Sequence, residues 1–75
     1  MLNYRINIIF SKDRDGYYVF CPELPGCQSQ GDTYEEAKEN IKEAIDLYLE
    51  TMTKEEMDEA LNKELITTTM EVSVG

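Results

Sequence analysis

Four carboxylates near predicted loops, Asp13, Asp15, Glu23 and Asp32, are the side chains whose type could do chemistry. Carboxylates bind Mg²⁺, so the reaction they would permit is metal-dependent cleavage of a nucleic acid. Their settings do not force them together. Asp13 and Asp15 fall in a hairpin tip, Asp32 adjoins the start of a helix and is expected to help cap it, and Glu23 lies between Pro22 and Pro25. The chain has no His, which excludes Ser–His and Cys–His nucleophiles. Cys21 and Cys27 cannot by themselves fill a tetrahedral zinc site. A disulfide between them is possible on count alone, but no signal-peptide pattern precedes them, so they read as reduced, partly buried thiols of a cytoplasmic protein. There is no Walker-type or G-x-G-x-x-G loop, since Gly26 and Gly31 belong to turns. The sequence therefore predicts no catalytic, cofactor or metal site. What it offers is charge.

Seven basic and sixteen acidic side chains give a formal charge of −9. Residues 1–32 carry a net −1, residues 33–52 a net −4 and residues 53–75 a net −4. Such a surface repels phosphate, which argues against direct nucleic-acid binding and for a basic protein partner. The acid is concentrated on the helix predicted over residues 34–51. At about 100° per residue, Tyr34, Ala37, Ile41, Ala44, Ile45, Tyr48, Leu49 and Met52 share one apolar arc. Glu35, Glu36, Glu39, Glu43, Asp46 and Glu50 share another, nearly opposite, with Lys38 and Lys42 at the border. The pairs Glu35–Glu39, Glu39–Glu43 and Asp46–Glu50 repel at i,i+4, each by roughly 0.2–0.5 kcal/mol. Glu50 stands at the wrong end of the helix dipole. A helix selected for stability alone would alternate signs here. The arc is either a solvated face or a docking surface, and Glu39, Glu43 and Asp46, flanked by Glu35 and Glu50, are the candidate partner contacts.

The elements that position these residues follow in order. Alternation of Tyr4, Ile6, Ile8 and Phe10 with Arg5, Asn7 and Ile9 predicts a first strand over residues 4–10 with one clearly apolar face. Residues 11–16 form a hairpin connection ending at Asp15-Gly16, a turn in which Gly accepts positive φ. A second strand over residues 17–21 puts Tyr17, Val19 and Cys21 on one face and Tyr18 and Phe20 on the other. With both faces apolar or aromatic, one meets the helix and the other, through Tyr18 and Phe20, a neighbouring subunit. Pro22 and Pro25 interrupt the ladder, and a short near-edge strand follows over residues 27–30. Thr33 with Glu36 fits a capping box, and Thr53 with Glu56 fits a second one, opening a shorter helix to about Asn62 with Met57, Ala60 and Leu61 inward. From Ile66, alternation of Thr68, Met70, Val72 and Val74 with Thr69, Glu71 and Ser73 predicts a last strand. The expected fold is α+β: an antiparallel-type sheet of three N-terminal strands plus the C-terminal strand, with the main helix on one face. Its β-β-β-α order is loosely similar to part of a ribonuclease H fold. A chain this small is marginally stable alone, so a dimer or tetramer is expected. No apolar run approaches the ~18 residues of a membrane span.

The run D-G-Y-Y-V from Asp15, then P-E-L-P-G-C from Pro22, then Q-G-D-T from Gln30 with E-E-A from Glu35, resembles the N-terminal domain of HicB-type antitoxins over roughly residues 3 to 50. The resemblance implies a single antitoxin domain over residues 1–75, with no enzymatic activity. It also implies a small basic RNA-cleaving partner toxin of the HicA type, covered at its active site. Longer members of that family carry a C-terminal DNA-binding domain. The residues after the first helix are too few to build one, so operator binding is not expected of this chain. Cys27 fits the family's P-G-C pattern, whereas Cys21 stands where a small aliphatic residue is commoner. The alternative is a homo-oligomeric protein-interaction module without a cognate toxin. A short basic reading frame next to the gene separates the two.

Overall fold

The computed structural model describes residues 3–75, so the first two residues of the predicted domain lie outside the described residues. Three strands, β1 (Ile9–Asp13), β2 (Gly16–Phe20) and β3 (Gln28–Gly31), precede two helices, α1 (Tyr34–Glu50) and α2 (Lys54–Leu61). The strands form one antiparallel sheet in the order β1-β2-β3.

The hairpin is tighter than its sequence suggests. Asp13 pairs with Gly16 across Arg14 and Asp15, and the Asp13 carboxylate accepts from the Asp15 amide at 2.8 Å. That register pairs Ile9 with Phe20, where β2 ends. Pro22 has no amide to extend the ladder, and the chain leaves the sheet. Residues 3–8 consequently have no ladder partner among the described residues, and the predicted first strand over residues 4–10 is displaced to Ile9–Asp13. Tyr4 and Ile6 nonetheless pack on the core.

The connector after β2 is part of the core. Leu24 is fully buried. Its amide donates to the Cys21 carbonyl at 3.2 Å and its carbonyl accepts from the Cys27 amide at 3.0 Å, while the Cys21 amide donates to the Cys27 carbonyl at 3.0 Å. The Pro-rich run thus closes on itself and presents one large side chain inward.

Val19, Cys21, Leu24, Cys27, Ala37, Ile41, Ile45 and Leu61 form the buried cluster, all on the side of the sheet that α1 covers. Thr33 caps α1 by accepting from the Glu36 amide at 3.1 Å. The return bond from the Glu36 carboxylate is missing, so the predicted capping box is half formed, and Asp32 makes no capping bond among the described residues. At α2 both halves exist: Thr53 N–H donates to Glu56 Oε1 at 2.8 Å and Glu56 N–H to Thr53 Oγ1 at 3.1 Å.

One expectation is overturned. No C-terminal strand forms among the described residues: residues 62–75 carry no regular structure and are exposed throughout. The sheet among the described residues has three strands, and the apolar alternation from Ile66 joins none of them.

Gly31 is where α1 meets the sheet. A Cβ there would stand 2.5 Å from the Ala37 amide nitrogen and 2.9 Å from its Cα, both backbone atoms that cannot swing aside. Gly31→Ala should therefore destabilise the fold by about 1–3 kcal/mol. Urea denaturation followed by circular dichroism checks this, and an unchanged midpoint would show that the helix is not held this close.

Candidate functional site

The outward face of α1 is set by what holds its inward face. Ala37, Ile41 and Ile45 are buried, the Asn40 side-chain amide donates to the Gln30 carbonyl at 2.8 Å, and the Tyr48 hydroxyl donates to the Pro25 carbonyl at 2.9 Å. Tyr34 stacks near Phe10, with ring centroids 4.6 Å apart. These anchors fix the helix's rotation and leave Glu35, Glu39, Glu43, Asp46 and Glu50 all exposed. The structure therefore gathers the predicted partner residues on one face.

Lys42 bridges Asp46 at 3.1 Å, the one ion pair among the described residues. Both side chains are exposed, and such a pair contributes at most about 1 kcal/mol. No basic residue stands in the last turn to answer Glu50. Leu47 falls between the apolar and acidic arcs, so helical periodicity alone assigns it to neither. It is 59% exposed, one turn from Glu43 and from Glu50. An apolar side chain ringed by carboxylates suits a partner that is basic at its rim and apolar at its centre.

The acid continues past the start of α1. A cleft of about 650 Å³ lies between the hairpin tip and the helix, and Asp13, Asp15, Asp32 and Glu36 line it together with Asn40. Three of the four carboxylates singled out from the sequence thus border one concavity. Glu36, turned away from its capping role, adds a fourth that the sequence did not reveal. No group of three or more His, Cys, Asp or Glu side chains is close enough to share a metal ion among the described residues. The cleft is suited to cationic side chains.

Glu23 is elsewhere, 3% exposed. Its Oε2 accepts from the Asn7 amide and from the Asn7 side-chain Nδ2, both at 2.9 Å, and the Cys21 thiol lies 3.7 Å from Oε1. A buried carboxylate needs such donors. Glu23 is a clamp on residues 3–8. The Tyr4 hydroxyl fastens the same segment to α2 by donating to Asp58 at 2.8 Å, a bond that, with burial, raises the phenol above its usual range.

Tyr18 and Phe20, the predicted oligomer contacts, occupy the sheet face opposite α1. Their rings are 5.9 Å apart, and the Tyr18 hydroxyl donates to Gln28 at 2.8 Å. Tyr18 is exposed and Phe20 half-buried. No helix among the described residues is long and apolar enough to cross a membrane.

Comparison with known proteins places the chain in a family. Residues 4–72 match the model of the HicB-like antitoxin of bacterial toxin–antitoxin systems. A UPF0150 protein of Synechocystis is 53% identical over 53 residues, which is 69% of this chain and 67% of the relative. One of Helicobacter pylori is 54% identical over 52 residues, 69% of this chain and 72% of the relative. One of Archaeoglobus fulgidus is 43% identical over 60 residues, 79% of this chain and 87% of the relative. No solved structure matches.

Cys21 and Cys27 are both free and buried, and burial pushes both thiols up. At pH 8 they should react with a disulfide reagent at least about tenfold more slowly in the folded protein than in denaturant, because the thiolate is the reactive form. A group held protonated by the fold stabilises it below its unfolded pKa and loses that contribution as pH rises through the folded one. Stability should therefore decline above about pH 8.5, where the unfolded thiols ionise. Equal labelling rates with and without denaturant would contradict the burial.

Proposed function

The chain belongs to the HicB-like antitoxins of bacterial toxin–antitoxin systems, and from that premise we propose that it neutralises a small basic RNA-cleaving toxin of the HicA type by occupying the toxin's RNA-binding surface. The observation that carries this reading is the exposed run of carboxylates along α1, continuous with the cleft at its start and answered by one ion pair among the described residues. A toxin that binds RNA must present cations to phosphates. Carboxylates presented from a rigid helix compete for those cations and steer the encounter at long range. Occlusion needs no reacting group on the antitoxin, and none of its steps is a covalent one.

Glu39, Glu43 and Asp46 form the centre of the interface, with Leu47 as its apolar anchor and Glu35 and Glu50 at its ends. With a net charge of −9 the chain does not itself hold nucleic acid. A second reading, a self-associating interaction module without a toxin, is favoured by the aromatic sheet face at Tyr18 and Phe20. Co-expression with a neighbouring small basic protein followed by pull-down separates the two.

Reversing Glu39, Glu43 and Asp46 to Lys together should weaken toxin binding by about tenfold or more at physiological salt and flatten its salt dependence. Helix content should be retained, because all three side chains are exposed. Leu47→Ala should weaken binding while leaving the salt slope nearly intact, because it removes apolar contact and no charge. Affinities measured by calorimetry at two salt concentrations decide the matter: values unchanged from the parent exclude this face of α1.

A further inference from the structure

An amphipathic strand pattern that joins no sheet among the described residues of its own chain calls for one elsewhere. Ile66, Thr68, Met70, Val72 and Val74 alternate with Thr67, Thr69, Glu71 and Ser73, which puts nearly all the apolar side chains on one face of an extended segment. That face is bare: Ile66 and Met70 are each 82% exposed, Val72 72% and Val74 92%. The segment also stands off the body. The radius of gyration is 14.6 Å, against about 11 Å for a compact chain of this length.

A receiving site exists on the same fold. β1 is a sheet edge, so its outer amides and carbonyls are unpaired. α1 packs chiefly on β3 and β2, leaving the flank beyond β1 uncovered. A largely apolar groove of about 410 Å³ opens there, lined by Ile8 and by Glu35, Lys38, Glu39 and Lys42. The other edge, β3, is the polar run Gln28–Gly31 and borders the acidic cleft, so it offers no apolar floor.

We propose that residues 66–74 add as a strand to the outer edge of β1 in a second copy of this chain, with Met70 and Val72 packed into the groove beside Ile8, and that two chains exchange these segments reciprocally. Charge selects a second copy over a basic partner. Residues 66–74 hold one charged side chain, Glu71, in a chain of net −9, so they offer a cationic protein almost nothing and give two mutually repelling bodies a nearly neutral seam. Two-fold exchange covers the β1 edge of both copies at once. The segment, the receiving edge and the groove residues together supply 19 residues a side, close to the roughly 20–30 that a stable interface uses. The inference is independent of any toxin.

Sedimentation equilibrium of the full chain should give twice 8.7 kDa. The double variant Met70→Asp/Val72→Asp should weaken self-association by about tenfold or more, because it buries two charges in an apolar groove. Both side chains are exposed within the protomer, so circular dichroism should be unchanged. In a mixture of labelled and unlabelled chains, an isotope-filtered nuclear Overhauser effect should connect Val72 of one chain to Ile8 of another. A monomer, a dimer indifferent to the double variant, or an Ile8–Val72 contact found within one chain would each overturn the proposal.

Discussion

The approach of Ala37 to Gly31 decides where everything else can be. Because residue 31 lacks a side chain, α1 rides directly over β3 instead of over the middle of the sheet. From there its apolar arc reaches Val19 of β2, Cys21 just past its end, and the plug at Leu24. One helix placed to one side touches β1 through Tyr34 on Phe10 and leaves the flank beyond β1 and the far face of the sheet bare. The groove beside Ile8 and the exposed ring of Tyr18 are two consequences of that single offset. A bulkier residue at position 31 would lift the helix and open the core, so the asymmetry is part of how so small a domain closes at all.

The same offset governs the electrostatics. With its inward face pinned by Asn40 and Tyr48, α1 has no freedom to rotate its carboxylates away from one another. The chain tolerates repulsion at three i,i+4 pairs and a Glu at the negative end of the dipole, a total on the order of 1 kcal/mol. The contrast between the two helix starts points the same way. Thr53 and Glu56 complete their reciprocal cap, while Glu36 forgoes its half and borders the cleft with Asp13, Asp15 and Asp32. Where stability alone is at stake the chain caps fully. Where the surface faces the cleft it keeps the carboxylate free.

Much of this was legible in the residues. Period 3.6 located α1 to within a residue, and the exposed positions of Glu35, Glu39, Glu43, Asp46 and Glu50 followed from it. The threonine caps and the inward set of the second strand were equally readable. What escaped was whatever depends on a register or a long-range partner. The first strand moved because pairing is fixed by the Asp13–Gly16 turn and ended by Pro22, neither of which alternation records. Glu23 reads as a loop carboxylate until Asn7 is brought beside it. Leu24 hides between prolines, and Leu47 is a single apolar residue between two arcs. The pattern from Ile66 is a genuine strand pattern, yet alternation states only that a face wants burial, never which sheet will bury it.

That last gap bears on how the molecule works. Glu35 and Glu39 belong at once to the acidic face of α1 and to the rim of the groove beside Ile8. A strand seated in that groove would lie under the stems of Lys38 and Lys42 and hold them against its own apolar side chains. Lys42 would then be less free to answer Asp46, and the carboxylate face would become more negative without any change in sequence. Self-association along β1 and attraction of a basic protein to α1 are in that sense not competing uses of one small surface. The first would tune the second through the two lysines that separate them.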